Sequence, residues 1–590
     1  RRTAILIGGK AVLFSALFGR MYYLQVLESE RYKTLAEENR INLRLLPPPR
    51  GRIIDRFGIP VASNQQNYRA LLIPEDARDV GSTLDSLSDI ISFTSGERRR
   101  ILRDVSRNRG FVPVTLRENL DWSEVSRIEV NAPDLPGVMI DVGQSRDYPH
   151  GEDLAHVLGY VAAVSPNEQT GDPLLELPGF RIGKAGIERT HDLILRGASG
   201  SSKVEVNAYG RVIRELERKD GQSGAEVQLT IDMALQRYIG KRLGDESASV
   251  VVMDVRHGDI LAMVSKPTFD PNNFNRGLTT SEWESLIKNP KAPLINKAIA
   301  GGYAPGSTFK MCVLLAALDK GVISPSNQMF CAGFTELGNA RFHCWKKHGH
   351  GLVNAEKAMA QSCDVYFYEI AKRTGIDRIA AMAKRFGFGE KLEIDLPGER
   401  AGLIPTPEWK LGKMNVSWQK GETLLAGIGQ GYLLVTPLQL VVMIARLVNG
   451  GFAVLPHITK SVMQDGNRTR QTGRKYEALN LPRHHLNLIR NAMNDVVNNP
   501  QGTAYRSRIT DPGFEMAGKT GTVQVRRISK KERETGVKKN KDLPWEERDH
   551  ALFVGYAPVN NPSYAISVVV EHGGGGSSKA APIARDILKE

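Results

Sequence analysis

Cysteine is scarce in this chain, with four in 590 residues, at positions 312, 331, 344 and 363. That density, and a length sufficient for real cores, excludes a small scaffold that depends on disulfide staples. At roughly 150 residues per domain the length points to two or three domains, four at most. Glycine (57) and proline (30) stay near average usage, which removes collagen-like and low-complexity readings. A hydrophobic share of 41% removes a disordered chain. Zinc-finger spacing, an aromatic ribonucleoprotein signature and a heptad-bearing basic helix are all missing, so nothing marks a nucleic-acid partner.

An uninterrupted run of about 20 apolar residues, the ordinary mark of a spanning helix, is missing too. The nearest approach is Thr3 to Leu27, which Lys10 and Arg20 interrupt. A central charge costs roughly 2.5 to 3.5 kcal/mol on insertion scales, although long stems near a helix end can snorkel to the interface. Arg1 and Arg2 precede the run and no A-x-A cleavage site follows it. This pattern predicts an uncleaved signal anchor, residues 1–27, with the remainder outside the cytoplasm.

What the chain has in excess is positive charge: 79 Lys and Arg against 65 Asp and Glu, or 79 − 65 = +14. Net charge describes steering and solubility rather than fold, and it suits an anionic membrane or an acidic polymer. Part of the excess is local, because Arg526 to Lys541 (RRISKKERETGVKKNK) holds eight basic and two acidic residues. Like charges in a block repel, so this stretch reads as a solvated loop.

Along the chain, Arg31 to Arg40 reads as a polar helix ended by Pro47, Pro48 and Pro49. Residues 28–224 are β-rich and turn-punctuated, with helical charge patterning in a part from about 74 to 136 and a helical LAHVLGYVAAV at Leu154 to Val164. No nucleophile or metal-ligand spacing emerges there, which suits an interaction or spacer domain. From Ala225 the character changes to a strand and helix, then two strands joined at His257 and Gly258. Residues 225–590 then suit one large domain mixing sheet strands with helices.

Three short motifs in that second domain carry chemistry. In APGSTFKMCVLLAALDKG, Ser307 and Lys310 stand at i, i+3, on one face of a helix that Gly321 stops. A serine hydroxyl is a poor nucleophile until a base takes its proton, and a desolvated lysine near other cations can be that base. Free N–H groups at the helix start favour negative charge developing on a substrate. The second motif is Ser362-Cys363-Asp364, and the third is Lys519-Thr520-Gly521-Thr522 on a predicted strand. There Gly521 leaves room for a ligand backbone, while Lys519 and the threonine hydroxyls offer a cation and donors to a carboxylate. An extended peptide could pair with that strand. Each motif alone is weak, but all three in order within one domain are not a coincidence to expect.

The order S-x-x-K, S-x-D, K-T-G resembles that of the penicillin-binding serine acyltransferases. The tracts RGRIIDRFG at Arg50, RDYPHGEDLAHVLGYV at Arg146, GKAGIERTHD at Gly183 and GQGYLLVTPLQL at Gly429 are similar to those of class B penicillin-binding proteins. Phe334 to Asn354 (FTELGNARFHCWKKHGHGLVN) resembles the elongation-specific penicillin-binding protein 2 group. The resemblance implies an α+β fold: a transpeptidase domain with an antiparallel sheet flanked by helices, on an elongated β-rich pedestal of the dimerisation type, with an N-terminal anchor helix. It implies a periplasmic D,D-transpeptidase of the inner membrane that cross-links peptidoglycan stem peptides during elongation and is a target of β-lactams. It further implies a RodA-type glycan polymerase and elongation-complex proteins as partners, beside the membrane. Carried over to this numbering, Ser307 is the nucleophile, Lys310 the general base and Ser362 a proton relay. Asp364 and Lys519 complete the polar network, Thr520 and Thr522 bind the donor carboxylate, and backbone N–H groups of Ser307 and Thr522 form the oxyanion hole. A serine β-lactamase or β-lactam sensor, and a non-catalytic envelope scaffold, are the alternatives. The E-x-x-L-N glutamate of class A hydrolases is not found, and the intact Ser307, Lys310, Lys519 set argues against a scaffold.

Cys331, Cys344, His350 and Cys363 follow one another at intervals of 13, 6 and 13 residues, while Cys312 sits inside the nucleophile helix as a small apolar residue. Three thiols and a histidine are the ligand set of a closed structural Zn2+ site. Disulfides in an oxidising compartment and free thiols are the competing readings, and His343 and His348 are rival nitrogen donors. Some members of the penicillin-binding protein 2 group look similar, with a metal held by an Asp/His/Cys set at matching places. A metal here would pin the second motif against the preceding loop; acyl transfer itself needs no cofactor.

Overall fold

A computed structural model describes residues 2–23, 41–107, 110–177, 179–206, 212–470, 475–529, 532 and 535–590. The chain starts with a helix, Arg2–Tyr22. Among the described residues no helix is long and apolar enough to cross a membrane; Lys10 and Arg20 break the apolar stretch. The helix expected at Arg31 to Arg40 lies outside the described residues.

In the N-terminal region one long strand, Pro60–Leu72, organises the fold. It pairs antiparallel with Val138–Asp147 over ten positions and, near its end, with Val114–Leu120. Helices Val80–Ser88, Ser95–Arg107 and Trp122–Val130 cover this sheet and bury Leu84, Leu87, Ile101 and Ile128 against Leu72 and Leu116. The helix Trp122–Val130 begins where Asp121 accepts from the N–H of Glu124 while Glu124 returns the bond, which satisfies two end donors at once.

Three tracts singled out in the sequence converge on one buried ion cluster. Glu188, fully buried, accepts from Arg146 Nε at 2.6 Å and from Arg50 Nε at 2.7 Å. Arg146 also donates to the carbonyl of Gly51 at 2.8 Å, and Arg50 reaches Asp192 at 2.9 Å. Burial alone would push the Glu188 carboxyl up, but the two guanidinium groups outweigh it and hold it below the usual carboxylate range.

The segment Leu154 to Val164 departs from its helical expectation. Its helix covers only Ala155–Leu158, and Val161–Ala163 is a strand paired with Arg181–Gly183. Gly159, at φ +73°, turns the chain there, and a Cβ on it would meet the carbonyl oxygen of Ala185 at 1.9 Å. A close backbone approach therefore overrides helical propensity.

The two regions share a sheet. Glu226–Leu229 runs parallel to Ile53–Ile54 on one side and antiparallel to Thr459–Gln464 on the other. Beyond it, a five-stranded antiparallel sheet forms the heart of the C-terminal region, in the order Ile260–Lys266, Ala248–Asp254, Tyr564–Val570, His550–Ala557, Ala517–Val523. Both faces are covered. Val250 and Val252 pack with helices Met233–Leu243 and Ala581–Lys589, while Val251 and Met253 pack with helices Lys310–Asp319 and Pro437–Val448. Burial on both faces is why these strands read as continuous apolar runs rather than as alternation.

Candidate active site

Ser307 stands in a tight turn, Gly306–Phe309, that feeds the helix Lys310–Asp319. Gly306 adopts φ +55° and donates to the carbonyl of Gly429 at 2.9 Å. Gly429 in turn leaves no space for a Cβ, which would meet Gly306 O at 2.0 Å. Every residue of the helix after Ser307, from Lys310 to Leu318, is buried. The helix runs through the interior, where an apolar surround is required on all sides. Lys310 is consequently 0% exposed.

Ser362 lies between helices Ala355–Ala360 and Asp364–Thr374 and holds φ +55°. A non-glycine residue in that region carries strain of order 1–3 kcal/mol and persists where surroundings impose it. The imposed position is the hub of the site. Ser362 Oγ donates to Ser307 Oγ at 3.1 Å and accepts from Lys519 Nζ at 2.9 Å and Lys310 Nζ at 3.2 Å. Lys310 Nζ also donates to Ser362 O at 3.0 Å and to Asp364 Oδ1 at 2.7 Å. Among the described residues Lys310 makes no hydrogen bond to Ser307 itself, so the direct contact suggested by i, i+3 spacing is replaced by a link through Ser362.

Lys519 comes from the predicted strand, here Ala517–Val523, at the edge of the five-stranded sheet. Its amine also donates to Thr520 O at 3.0 Å. Burial first, and the ammonium of Lys310 second, push this amine well below the usual lysine range, against an opposing pull from Asp364. Thr520 Oγ1 and Thr503 Oγ1 are 2.8 Å apart, and Thr522 Oγ1 accepts from the N–H of Gly576 at 3.2 Å. Thr522 is exposed while Thr520 is buried. Gly521 corrects the expectation of room for a ligand: a Cβ there would meet Leu552 Cβ at 3.1 Å, Thr308 Cγ2 at 3.2 Å and Pro305 O at 3.3 Å. The missing side chain lets the strand approach the Ser307 turn.

Thr503 and Trp345 belong to no motif and were not singled out. The indole Nε1 of Trp345 donates to Ser362 O at 3.1 Å and to Gln361 O at 3.2 Å. Its ring remains 61% exposed beside the nucleophile's partner. The only sequence signal for it is a place next to Cys344.

Residues 248–589 match the family described as penicillin binding protein transpeptidase domain, and residues 45–229 match the penicillin-binding protein dimerisation domain. The chain belongs to the penicillin-binding proteins. It is 36% identical to the peptidoglycan D,D-transpeptidase MrdA of Haemophilus influenzae, over all of this chain and 91% of that protein. It is 35% identical to MrdA of Escherichia coli K12, over all of this chain and 93% of the relative. Among solved structures, the complex of penicillin-binding protein PBP2 with MreC from Helicobacter pylori superposes with TM-score 0.80 at 28% identity, over 93% of this chain and 98% of that one. Pseudomonas aeruginosa PBP2 in complex with WCK 5153 gives 0.69 at 31%, over 93% and 96%. The α+β architecture expected from the motifs is therefore the family's, and the α+β fold stands.

This penicillin-binding protein also gathers its cysteines. The donor atoms of Cys331, Cys344, His350 and Cys363 all lie within 4.8 Å of one another, and all four residues are buried. His350 Nδ1 is 3.5 Å from Cys344 Sγ and 3.6 Å from Cys331 Sγ. All four cysteines are free thiols. His343 and His348, the rival donors, are exposed on the loop. Hydrogen bonds with Cys363, first, and His350 hold the Cys344 thiol below the usual cysteine range, while the same contact pushes Cys363 up. Cys312 lies apart, with Sγ 3.8 Å from Met443 Sδ and its thiol pushed up by burial.

Proposed function

We propose that this chain is a peptidoglycan D,D-transpeptidase in which Ser307 forms the acyl-enzyme. The observation that carries the reading is the hydroxyl chain from Ser307 through Ser362 to two buried lysines. Ser307 Oγ attacks the carbonyl of the penultimate D-alanine of a donor stem peptide, its proton passing to Ser362 as Ser362 passes its own to Lys310, the general base, and the terminal D-alanine departs with a proton returned through the same hydroxyl. Lys310 and Lys519 supply the basic side of this exchange, with Asp364 fixing Lys310. Thr520 and Thr522 receive the donor carboxylate, next to Lys519. Backbone N–H groups of Ser307 and Thr522 face the developing oxyanion, each worth about 3 kcal/mol in comparable acyl transfer. An acceptor amine from a second stem resolves the acyl-enzyme. β-Lactams imitate the donor and leave a slowly released adduct.

Cys331, Cys344, His350 and Cys363 would hold Zn2+. Tetrahedral bonds of about 2.3 Å to sulfur and about 2.05 Å to nitrogen place S and N about 3.5–3.6 Å apart, and the two S···N distances are 3.5 and 3.6 Å. Bound there, the metal would be structural, with Cys331 and Cys344 of one loop held to Cys363 inside the second motif.

Residues 1–27 serve as a single-pass anchor in the inner membrane, residues 28–224 as a pedestal with a head at about 74–136, and residues 225–590 as the periplasmic transpeptidase domain. A RodA-type glycan polymerase and other elongation-complex proteins are its partners. Support comes from similar structures, one solved with MreC and another as part of a peptidoglycan synthase complex that coordinates polymerisation and crosslinking.

A fluorescent penicillin applied to the wild type and Ser307→Ala tests the reading. A label that forms, persists and vanishes in Ser307→Ala supports the transpeptidase. Fast decay of the label indicates a β-lactamase, and no label in the wild type indicates a scaffold.

A further inference from the structure

Away from the active site, a cavity of about 220 Å³ opens on the sheet that joins the two regions, lined by Gln228, Lys460, Ser461, Arg468 and Arg470. Gln228 comes from the segment matched by the dimerisation domain, and the other four from the segment matched by the transpeptidase domain. The local sheet explains the clustering. Ser461 faces Gln228 on one side and Arg470 on the other. Pairing shifts between Gln228 and Leu229, whose partners are Ser461 and Thr459, so Lys460 is the extra residue of a bulge. A bulge re-aims the side chain it carries, and Lys460 joins the same cavity as the two arginines.

The charges there are unbalanced. Among the described residues, no carboxylate forms an ion pair with Lys460, Arg468 or Arg470. Three acids on neighbouring segments are engaged elsewhere: Glu226 with Arg52 at 2.6 Å, Asp259 with His457 at 3.0 Å, and Asp395 with the N–H groups of Ile458 and Thr459, while Asp465 lies in the hairpin turn beyond Gln464. Among the described residues, Lys460 Nζ has a single hydrogen bond, to the carbonyl of Arg56 at 3.4 Å. Beneath them Ser461 Oγ donates to Gln228 Oε1 at 3.1 Å, and Ser461 is 2% exposed. Two guanidinium forks on one strand, with an ammonium on the neighbouring strand, match the bidentate acceptors of phosphoryl groups better than a single carboxylate.

We infer that this cavity binds a phosphate-bearing anion with two or more negative charges, at the seam between the two regions. The inference is independent of the Ser307 chemistry. The same chemistry is offered by a lipid head group and by a soluble phosphate compound.

The test titrates pyrophosphate into the full chain in neutral phosphatidylcholine nanodiscs at fixed ionic strength. Saturable binding is expected, weakened roughly tenfold or more in R468A/R470A, since hydrogen bonds to charged groups are each worth about a factor of ten or more. R468K/R470K, which keeps charge and removes the forks, falls between. Penicillin labelling and melting temperature stay as in the wild type for both variants, which shows that they fold. Loss of pyrophosphate binding in discs that contain cardiolipin, whose head group carries two phosphates, identifies a lipid head group as the occupant. Retained binding identifies a soluble phosphate compound; both outcomes support the site. Non-saturating binding, or equal affinity of wild type and R468A/R470A, overturns it.

Discussion

The backbone N–H of Trp345 donates to Asp364 Oδ2 at 2.9 Å, while the other oxygen of that carboxylate holds Lys310 Nζ at 2.7 Å. Trp345 follows Cys344 directly, and Asp364 follows Cys363. The Cys3His cluster is thus one residue away from both ends of a hydrogen bond that orients a lysine of the active site.

Replacing a cluster thiol therefore disturbs the catalytic network as well as the fold. Cys344→Ser is expected to lower the melting temperature and slow acylation together, and to weaken zinc binding by at least roughly 10- to 100-fold, the loss seen for weaker, outer perturbations of metal sites. Elemental analysis, calorimetry and penicillin labelling of wild type and variant check this. A purified wild type that labels normally without zinc would sink the metal assignment.

Ser362 connects the nucleophile to both lysines, so its hydroxyl cannot be removed harmlessly. Ser362→Ala is expected to slow labelling by roughly 100- to 10,000-fold, the range for a lost proton-transfer group. The melting temperature should change little by comparison, because Lys519 retains Thr520 O and Lys310 retains Asp364. Labelling kinetics of Ser362→Ala at several penicillin concentrations separate a slow chemical step from weak binding; an unchanged rate would remove Ser362 from the proton path.

The depressed pKa of Lys519 has a signed consequence for stability. Between the folded value and the ordinary lysine value of 10.5, the unfolded chain binds the proton more than the folded chain does. Stability contributed at this position therefore rises with pH through that window and falls as pH drops toward the folded value. Lys519→Met removes the group at similar volume. The stability of the wild type relative to Lys519→Met is expected to increase from neutral pH toward 10.5, as denaturant midpoints across a pH series would reveal. A flat difference would mean that Lys519 stays charged inside the site.

Much of this site was legible because its chemistry sits in residues whose types are distinctive: Ser307, Lys310 and Lys519 meet at the Ser362 hydroxyl, and Asp364 holds Lys310. Trp345 and Thr503 were not legible, since each acts through a bond whose partner is remote in sequence and no motif surrounds it. The antiparallel core sheet was expected, but its strand order depends on tertiary pairing, as does the strand Glu226–Leu229 that joins both regions. Gly521 suggests ligand space from sequence for the same reason: nothing local reveals that Thr308 and Pro305 lie against it.

Glu188 makes the last prediction, remote from the chemistry. It is buried between Arg146 and Arg50, and the three residues come from three separate tracts. Removing one member of a buried ion cluster leaves its partners charged without compensation, at a cost of about 3–5 kcal/mol. Glu188→Ala is expected to lose stability of that order, and Glu188→Ala with Arg146→Met to recover part of it, because the second change removes the stranded charge. The carboxyl's depressed pKa gives an independent check. Its contribution is present above the ordinary glutamate value of 4.5 and is lost as pH falls through the lower folded value. The stability difference between wild type and Glu188→Ala should therefore shrink on acidification. Denaturant unfolding of both proteins over that pH range measures it, and a difference that holds constant at low pH would show that the cluster stabilises by packing rather than by charge.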